Sequence, residues 1–349
     1  MKIEKISIHD VFGFRIGQAQ NLDAATGCTV IISENGAVCG VDVRGGSPGT
    51  RDTDALNPIA NRKQVHAVLF AGGSAFGLDA AGGVMRFLEE RGIGRDVSVT
   101  CVPNVCAAVL FDLKCGDHQV RPDEQMGYAA SENAFAGKPF QSGNCGAGTG
   151  ATLGKTRGMA YAMKGGIGCA ALRYGDLVVA AVVAVNCVGD VVEQGKIIAG
   201  MRDNDGITFA DSECIILEAY QHDKDFFSGK AVDRGTAIEA GDGNTVLACI
   251  ITNAKLDKAG ATRLAAQGQN GIARCIRPAH SVFDGDTVFA LCSGIVPATS
   301  DAVGILGSRA VEDAIIDAVK SARSLYGYPA FSTFCNSPLP SASDLIQYR

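Results

Sequence analysis

The stretch from Leu177 to Val185, LVVAAVVAV, constrains the fold most, because it carries no polar side chain at all. Its many valines suit a pleated strand better than a helix. It is too short to cross a membrane, which takes roughly 18 or more apolar residues. A strand apolar on both faces must be covered on both faces. The segment 177–192 is therefore expected inside a layered structure.

The other segments extend this reading. Residues 29–32 and 37–43 are apolar and β-branched, and Ser33-Glu34-Asn35-Gly36 between them predicts a hairpin turn. Residues 65–70 read as a strand, and 74–91 as a helix with Phe76, Ala80, Val84, Phe87 and Leu88 on one face and Gly92 as its C-terminal cap. Residues 97–102 and 107–113 look extended, 128–136 is a short helix, 143–154 is a glycine-rich loop, and 159–172 is strand-rich. From 195 to 243 the chain turns polar, through Arg202-Asp203-Asn204-Asp205-Gly206, His222-Asp223-Lys224-Asp225 and Asp233-Arg234-Gly235, with one short element near 215–220. Asp257 should cap a helix reaching 276, and 287–292 is a strand. Ser300 should cap a last helix with Val303, Leu306, Ala310, Val311, Ala314, Ile315, Ala318 and Val319 on its apolar face. Beyond Tyr326 the tail is rich in Pro and Ser. Strands come in runs and helices stand apart. That favours stacked sheets covered by helices over strict βαβ alternation.

Composition narrows the function. With 47% apolar and 19% charged residues the chain is globular, and its 44 glycines imply many tight turns. Net charge is −6 and no Lys/Arg stripe forms, so no nucleic-acid partner is expected. The start Met1-Lys2-Ile3-Glu4-Lys5 has no signal-peptide core, and no membrane span follows, so a cytoplasmic location without membrane contact is expected. Thirteen cysteines, among them Cys39, Cys101, Cys187, Cys249 and Cys292, sit mostly in apolar runs without CxxC spacing, which reads as buried free thiols. His9, His66, His118, His222 and His280 show no metal-ligand spacing, so no metal or other cofactor is expected.

Two nucleophile or nucleotide motifs fail on chemistry. Gly45-Gly46-Ser47-Pro48-Gly49 matches G-x-S-x-G, but Pro48 lacks the N–H that an oxyanion hole needs after the serine. Gly148 to Lys155-Thr156 resembles a phosphate loop with one residue too many between its glycines. Gly146 to Ala151 fits only a loose dinucleotide pattern.

Gly243-Asn244-Thr245 remains, opening the run Val246-Leu247-Ala248-Cys249-Ile250-Ile251-Thr252-Asn253-Ala254. Cleavage between Asn244 and Thr245 would give the threonine a hydroxyl and a free α-amine, nucleophile and base in one residue. An α-amine has a pKa of ~8 and accepts a proton near neutrality. Asp284-Gly285-Asp286 stands at the entrance of the next strand, where two carboxylates would orient a hydroxyl or simply make a turn. Asn186 lies in an apolar strand, and its buried amide would pin a loop or donate to an oxyanion.

Asn244-Thr245 through Thr252-Asn253-Ala254, Gly271-Ile272-Ala273-Arg274, Pro278-Ala279-His280 and Asp284-Gly285-Asp286-Thr287-Val288-Phe289-Ala290 resemble the D-aminopeptidase, β-peptidyl aminopeptidase and nylon-oligomer hydrolase family. So do Gly40-Val41-Asp42-Val43-Arg44-Gly45-Gly46, Pro48-Gly49-Thr50-Arg51, Gly72-Gly73-Ser74-Ala75-Phe76-Gly77-Leu78-Asp79-Ala80 and Lys164-Gly165-Gly166-Ile167-Gly168. The resemblance spans about residues 25–320. It implies an α/β (α+β) fold, a four-layer αββα sandwich like that of N-terminal-nucleophile hydrolases with different connectivity. It implies a single domain, 1–349, that cuts itself into 1–244 and 245–349. Thr245 would be the nucleophile and Asn186 the oxyanion donor. Asp284 and Asp286 match the acidic pair, and Lys155 the lysine, of the nylon-hydrolase branch. The implied substrates are small peptides, aminoacyl amides or esters, and the implied assembly is a tetramer of processed chain pairs. Thr245 replaces the serine of the aminopeptidase branch, and Phe111 stands where the nylon branch has a tyrosine. Acyl transfer of the ornithine-acetyltransferase kind and a non-catalytic role remain as alternatives.

Overall fold

The computed structural model describes residues 2–225, 229–230 and 243–335. Its two large sheets contain ten strands: β1 Glu4–Ile6, β2 Arg15–Asn21, β3 Thr26–Val43, β4 Thr50–Arg51, β5 Val65–Ala71, β6 Val105–Val109, β7 Gly166–Tyr174, β8 Leu177–Asn186, β9 Thr245–Lys255 and β10 Thr287–Pro297. The main helices are α1 Ala80–Glu89, α2 Glu124–Phe135, α3 Ser212–Gln221, α4 Lys258–Cys275 and α5 Ser300–Ser321. Hydrogen bonding runs in the order β1-β7-β8-β9-β10-β3-β5-β6-β4, with β2 on β3. The β9–β10 and β5–β6 pairs are parallel.

The apolar run of β8 is covered on both faces, as its sequence demands. Val179, Ala181, Val183 and Val185 pack in one core with Leu264 and Ile272 of α4 and Val311 and Ile315 of α5. Val178, Ala180, Val182 and Ala184 pack in a second core with Ile31, Val68, Phe70, Cys106 and Ala108 of the other sheet. The far face of that sheet, through Val30, Ile32, Ala67, Leu69 and Ala107, packs on Val84, Phe87 and Leu88 of α1 and Ala130 of α2. Three apolar layers therefore separate helices, sheet, sheet and helices, and the expected αββα order is present.

The expected hairpin at Asn35-Gly36 is absent. β3 runs through it as one strand, pairing with β2 and β5 through its first half and with β10 through residues 38–43. Gly36 has φ +72° and lies at the register shift between Ile32 and Ala37. The turn residue serves as an irregularity that hands one strand from the second sheet to the first.

Other boundaries moved for local reasons. Residues 74–79 form a 3₁₀ turn before α1, which leaves Phe76 exposed under the Arg121 guanidinium, 3.7 Å from its ring. Gly92, at φ +67°, ends α1 as expected, with Ile93 N–H donating to the Leu88 carbonyl at 2.9 Å. The 97–102 segment keeps only Cys101–Val102 as strand, and the 107–113 segment overlaps β6. α2 begins at Glu124, capped by Asp123. α4 is capped by Asp257, whereas α5 is capped by Thr299 rather than Ser300. The eight apolar positions expected on α5 are all buried. The Gly195-to-Gly243 connection is pinned at its start. Buried Asp190 accepts from Met201 N–H at 2.7 Å, Ser212 N–H at 2.8 Å and the Ser212 hydroxyl at 2.9 Å. Asp233-Arg234-Gly235 and most of the Pro/Ser-rich tail lie outside the described residues. The cysteines among the described residues are free thiols, and burial pushes Cys28 and Cys106 up to about 12, far from thiolate chemistry.

Candidate active site

The topology brings the expected residues to one sheet edge. β9 and β10 run parallel, so Thr245 and the Asp284-Gly285-Asp286 turn lie at the same end. β8 runs antiparallel to β9, so its last residue, Asn186, is the register partner of the first residue of β9, Thr245.

Thr245 is buried, and its hydroxyl donates to the Asn244 carbonyl oxygen, the acceptor of the peptide bond before it. Gly285 N–H donates to that same oxygen at 2.7 Å. Asn244 N–H donates to the Phe283 carbonyl at 3.2 Å. Gly285 admits this wrapping because a Cβ there would stand 2.7 Å from the Thr245 hydroxyl and 2.8 Å from the Ser47 carbonyl oxygen. Ser47 itself donates its hydroxyl to the Val282 carbonyl at 2.8 Å, so the G-x-S-x-G serine belongs to a turn over the site.

The two aspartates are both buried but hold different partners. Asp286 accepts from Val246 N–H at 2.7 Å, and its other oxygen meets His280 N–H at 3.0 Å and Nδ1 at 2.8 Å. Asp284 accepts from Val188 N–H at 3.3 Å, from Ser281 N–H at 3.2 Å and from the Ser281 hydroxyl. Burial, followed by the neighbouring Asp286 charge, raises Asp284 to about 7; Ser281, Val188 and Lys155 act against that rise. One of two adjacent carboxyls therefore keeps its proton through weakly acidic pH.

Asn186 is fully buried. Its side-chain oxygen accepts from Thr152 N–H at 2.9 Å and from Lys155 Nζ at 3.1 Å, while its amide nitrogen donates to the Phe111 carbonyl at 3.0 Å. Lys155 also donates to the Asn186 backbone carbonyl at 3.0 Å. The lysine of the failed phosphate loop thus turns inward. Gly154, at φ +68°, makes the bend, and Lys155 N–H donates to the Val188 carbonyl at 2.9 Å. Phe111 lacks the tyrosine hydroxyl, but its backbone carbonyl serves the site.

Thr245, Asn244, Asn186, Lys155, Asp284 and Asp286 therefore meet in one place. His280 and Ser281 were missed as site residues by sequence reasoning. Their signal was the Pro278-Ala279-His280 block just ahead of the acidic turn. His280 holds φ +56°, and its buried Nε2 has no partner among the described residues. A recess of about 10 Å³ adjoins the site, lined by Phe111, Asp112, Lys114, Cys115, Thr152, Lys155, Met159 and Gly243. It has room for roughly one water and none for an aminoacyl group. No group of three or more potential metal ligands occurs among the described residues, and no helix there is long and apolar enough to cross a membrane.

The Thr245 hydroxyl and Gly285 N–H meet at the Asn244 carbonyl, with Asn186 pairing beside Thr245 and Lys155 bound to Asn186, on a fold of the N-terminal-nucleophile-hydrolase kind. Solved structures share that fold. A β-aminopeptidase of a Burkholderia species superposes with TM-score 0.65 at 18% identity, covering 98% of this chain and 94% of that one. The L-aminopeptidase D-Ala-esterase/amidase of Ochrobactrum anthropi superposes with TM-score 0.64 at 19% identity, covering 90% and 86%. The pattern of peptidase family S58 matches residues 7–331, and the chain belongs to that family. An uncharacterized aminopeptidase of Mycobacterium leprae is 37% identical over 351 residues, 93% of each chain. A 6-aminohexanoate-oligomer endohydrolase of Paenarthrobacter ureafaciens is 31% identical over 325 residues, 89% of this chain and 85% of that one. The protein is a peptide-bond hydrolase.

Proposed function

We propose that this chain is the precursor of an aminopeptidase with an N-terminal threonine nucleophile, activated by its own cleavage at Asn244–Thr245. The observation that carries this reading is the contact of the Thr245 hydroxyl with the carbonyl oxygen of the bond to be cut, an oxygen that also accepts Gly285 N–H. In processing, the Thr245 oxygen bonds to the Asn244 carbonyl carbon. The C–N bond breaks, and nitrogen takes the hydroxyl proton. Water then hydrolyses the ester, leaving a carboxylate on Asn244 and a free amine on Thr245. Gly285 N–H stabilises the oxyanion of this first step.

The narrow recess fits this order of events. Gly243 packs against the Phe111 ring and narrows the recess beside Lys155 and Thr152. Cleavage would release it and admit substrate. In turnover, Thr245 attacks a substrate amide or ester, and its amine carries the proton to the leaving group. Asn186 donates to the oxyanion, Lys155 orients Asn186, and Asp284 and Asp286 hold the turn around the nucleophile. Water releases the acyl group.

Substrates of this reading are small peptides, aminoacyl amides and esters. The kinship to an oligomer endohydrolase adds amides of longer amino acids. The processed chains stay together as one domain, and four pairs assemble in the cytoplasm. N-terminal sequencing of the purified protein tests the core claim. The expected result is a small chain beginning at Thr245. A single uncut chain after prolonged incubation at neutral pH, inactive on aminoacyl p-nitroanilides, overturns it.

A further inference from the structure

Lys164 is a second fully buried lysine, and the chemistry above does not use it. It lies on a short ribbon in which Met163–Lys164 pairs with Thr152–Leu153, register Lys164 to Thr152. Its ammonium donates to the Thr149 carbonyl at 3.0 Å and to the Ala151 carbonyl. No carboxylate lies within ion-pair distance of it among the described residues. Asp112, a buried acid whose charge acts on Lys164, is occupied by Gly73 N–H and the Thr26 hydroxyl, each at 2.7 Å. An ammonium held away from water without a paired carboxylate is costly, so the group calls for a reason.

The reason lies one peptide unit away. The Ala151 carbonyl accepts from Lys164, and from Gly165 N–H at 2.9 Å. The N–H of that same peptide, on Thr152, donates to the Asn186 side-chain oxygen at 2.9 Å. We propose that Lys164 is a positioning residue that polarises the Asn186 amide through the Ala151–Thr152 peptide and so strengthens Asn186 as an oxyanion donor. Hydrogen bonds in series polarise one another, most strongly away from water. Lys155 grips the same Asn186 oxygen directly, so two buried cations act on one amide. The inference rests on the reading of Asn186 as the oxyanion donor.

A double-mutant cycle on the processed enzyme tests it, with kcat and KM measured per processed molecule on an aminoacyl p-nitroanilide. Lys164→Met should lower kcat about tenfold, a fraction of the ~10²–10³ lost with an oxyanion donor, and leave KM nearly unchanged. In an Asn186→Ala background the same substitution should cost less than about twofold. Equal losses in both backgrounds make Lys164 a merely structural group and overturn the proposal. An Asn186→Ala enzyme with unchanged kcat overturns instead the reading beneath it.

A second readout covers a Lys164→Met variant that does not fold. Burial lowers Lys164 to about 8, with Cys115 and Asp112 opposing, so the ammonium is lost as pH rises through that value. The other titratable groups facing it are Tyr326, whose ring centroid is 6.0 Å from Nζ, and, across Cys115, Lys155. The wild-type kcat should therefore fall above pH about 8, and Lys164→Arg, which keeps its charge, should move that fall to higher pH. A fall that stays in Lys164→Arg, or that disappears in Cys115→Ala, overturns the proposal.

Discussion

Thr245 is an ordinary residue until its neighbours are counted. A threonine opening a strand usually means nothing, but this one pairs with Asn186 at the end of the neighbouring β8 and lies beside Gly285 and Asp286. Thr245→Ala should abolish processing while the chain still folds, because it removes the hydroxyl and little buried volume. A single band on a denaturing gel with an unchanged circular dichroism spectrum checks this. Thr245→Ser, which keeps the hydroxyl, should still process. Asp284 yields a pH prediction. Its carboxyl is raised to about 7 in the fold against an ordinary 3.8. The folded state therefore holds the proton more tightly than the unfolded chain. That contribution is present below about pH 4 and is lost as pH rises through about 7, on the order of a few kcal/mol. Asp190, raised to about 6 mainly by burial, acts in the same sense. Thermal melts of uncut Thr245→Ala protein should show Tm falling from pH 4 to 7, with a shallower fall after Asp284→Asn. Asp284 and Asp286 were legible as a candidate pair in the sequence. Their unequal partners, His280 for one and Ser281 for the other, were not, because a turn of the chain folds back on itself to supply them.

Among the elements, β3 and α5 teach most. Periodicity correctly marked both halves of β3, yet Asn35-Gly36 suggested reversal. Turn propensity is local, whereas the pairing of residues 38–43 with β10 is not, and pairing decided the outcome. For α5 the eight-residue apolar face predicted burial, but nothing in the sequence said against what. The helix rests on β7 at Gly168, where a Cβ would stand 2.3 Å from Ala318 N and 2.4 Å from the Ala314 carbonyl oxygen. Gly168→Val should push the helix off the sheet and cost about 3 kcal/mol, at the upper end for overpacking. That lowers Tm by roughly 4 °C in a thermal melt of a chain this long. A variant with wild-type Tm would mean that the helix yields freely at this contact. Gly243→Val tests a different contact. A Cβ there meets Phe111 ring atoms at 2.9 Å, so the substitution should displace the Asn244 carbonyl and slow processing, read as band intensity against time.

In the whole molecule, the proposed cut falls inside a sheet rather than between domains. β9 lies between β8 and β10, with an apolar core on each face. Cleavage before Thr245 leaves those contacts in place, so the two chains should coelute in gel filtration and separate only on denaturation. Separate elution of the smaller chain under native conditions would contradict this. Light scattering on the same column tests the tetramer. The sequence alone determined the layered class of the fold, since a strand without a polar face must be buried twice. It also determined the helix caps at Asp257 and Gly92 and the short list of polar residues that apolar strands cannot carry without a purpose. Only the tertiary structure decided which of these meet. Thr245, Asn186, Lys155 and Asp284 are separated by tens of residues. Their convergence depends on β9 running parallel to β10 and antiparallel to β8, and strand direction leaves no mark in local sequence.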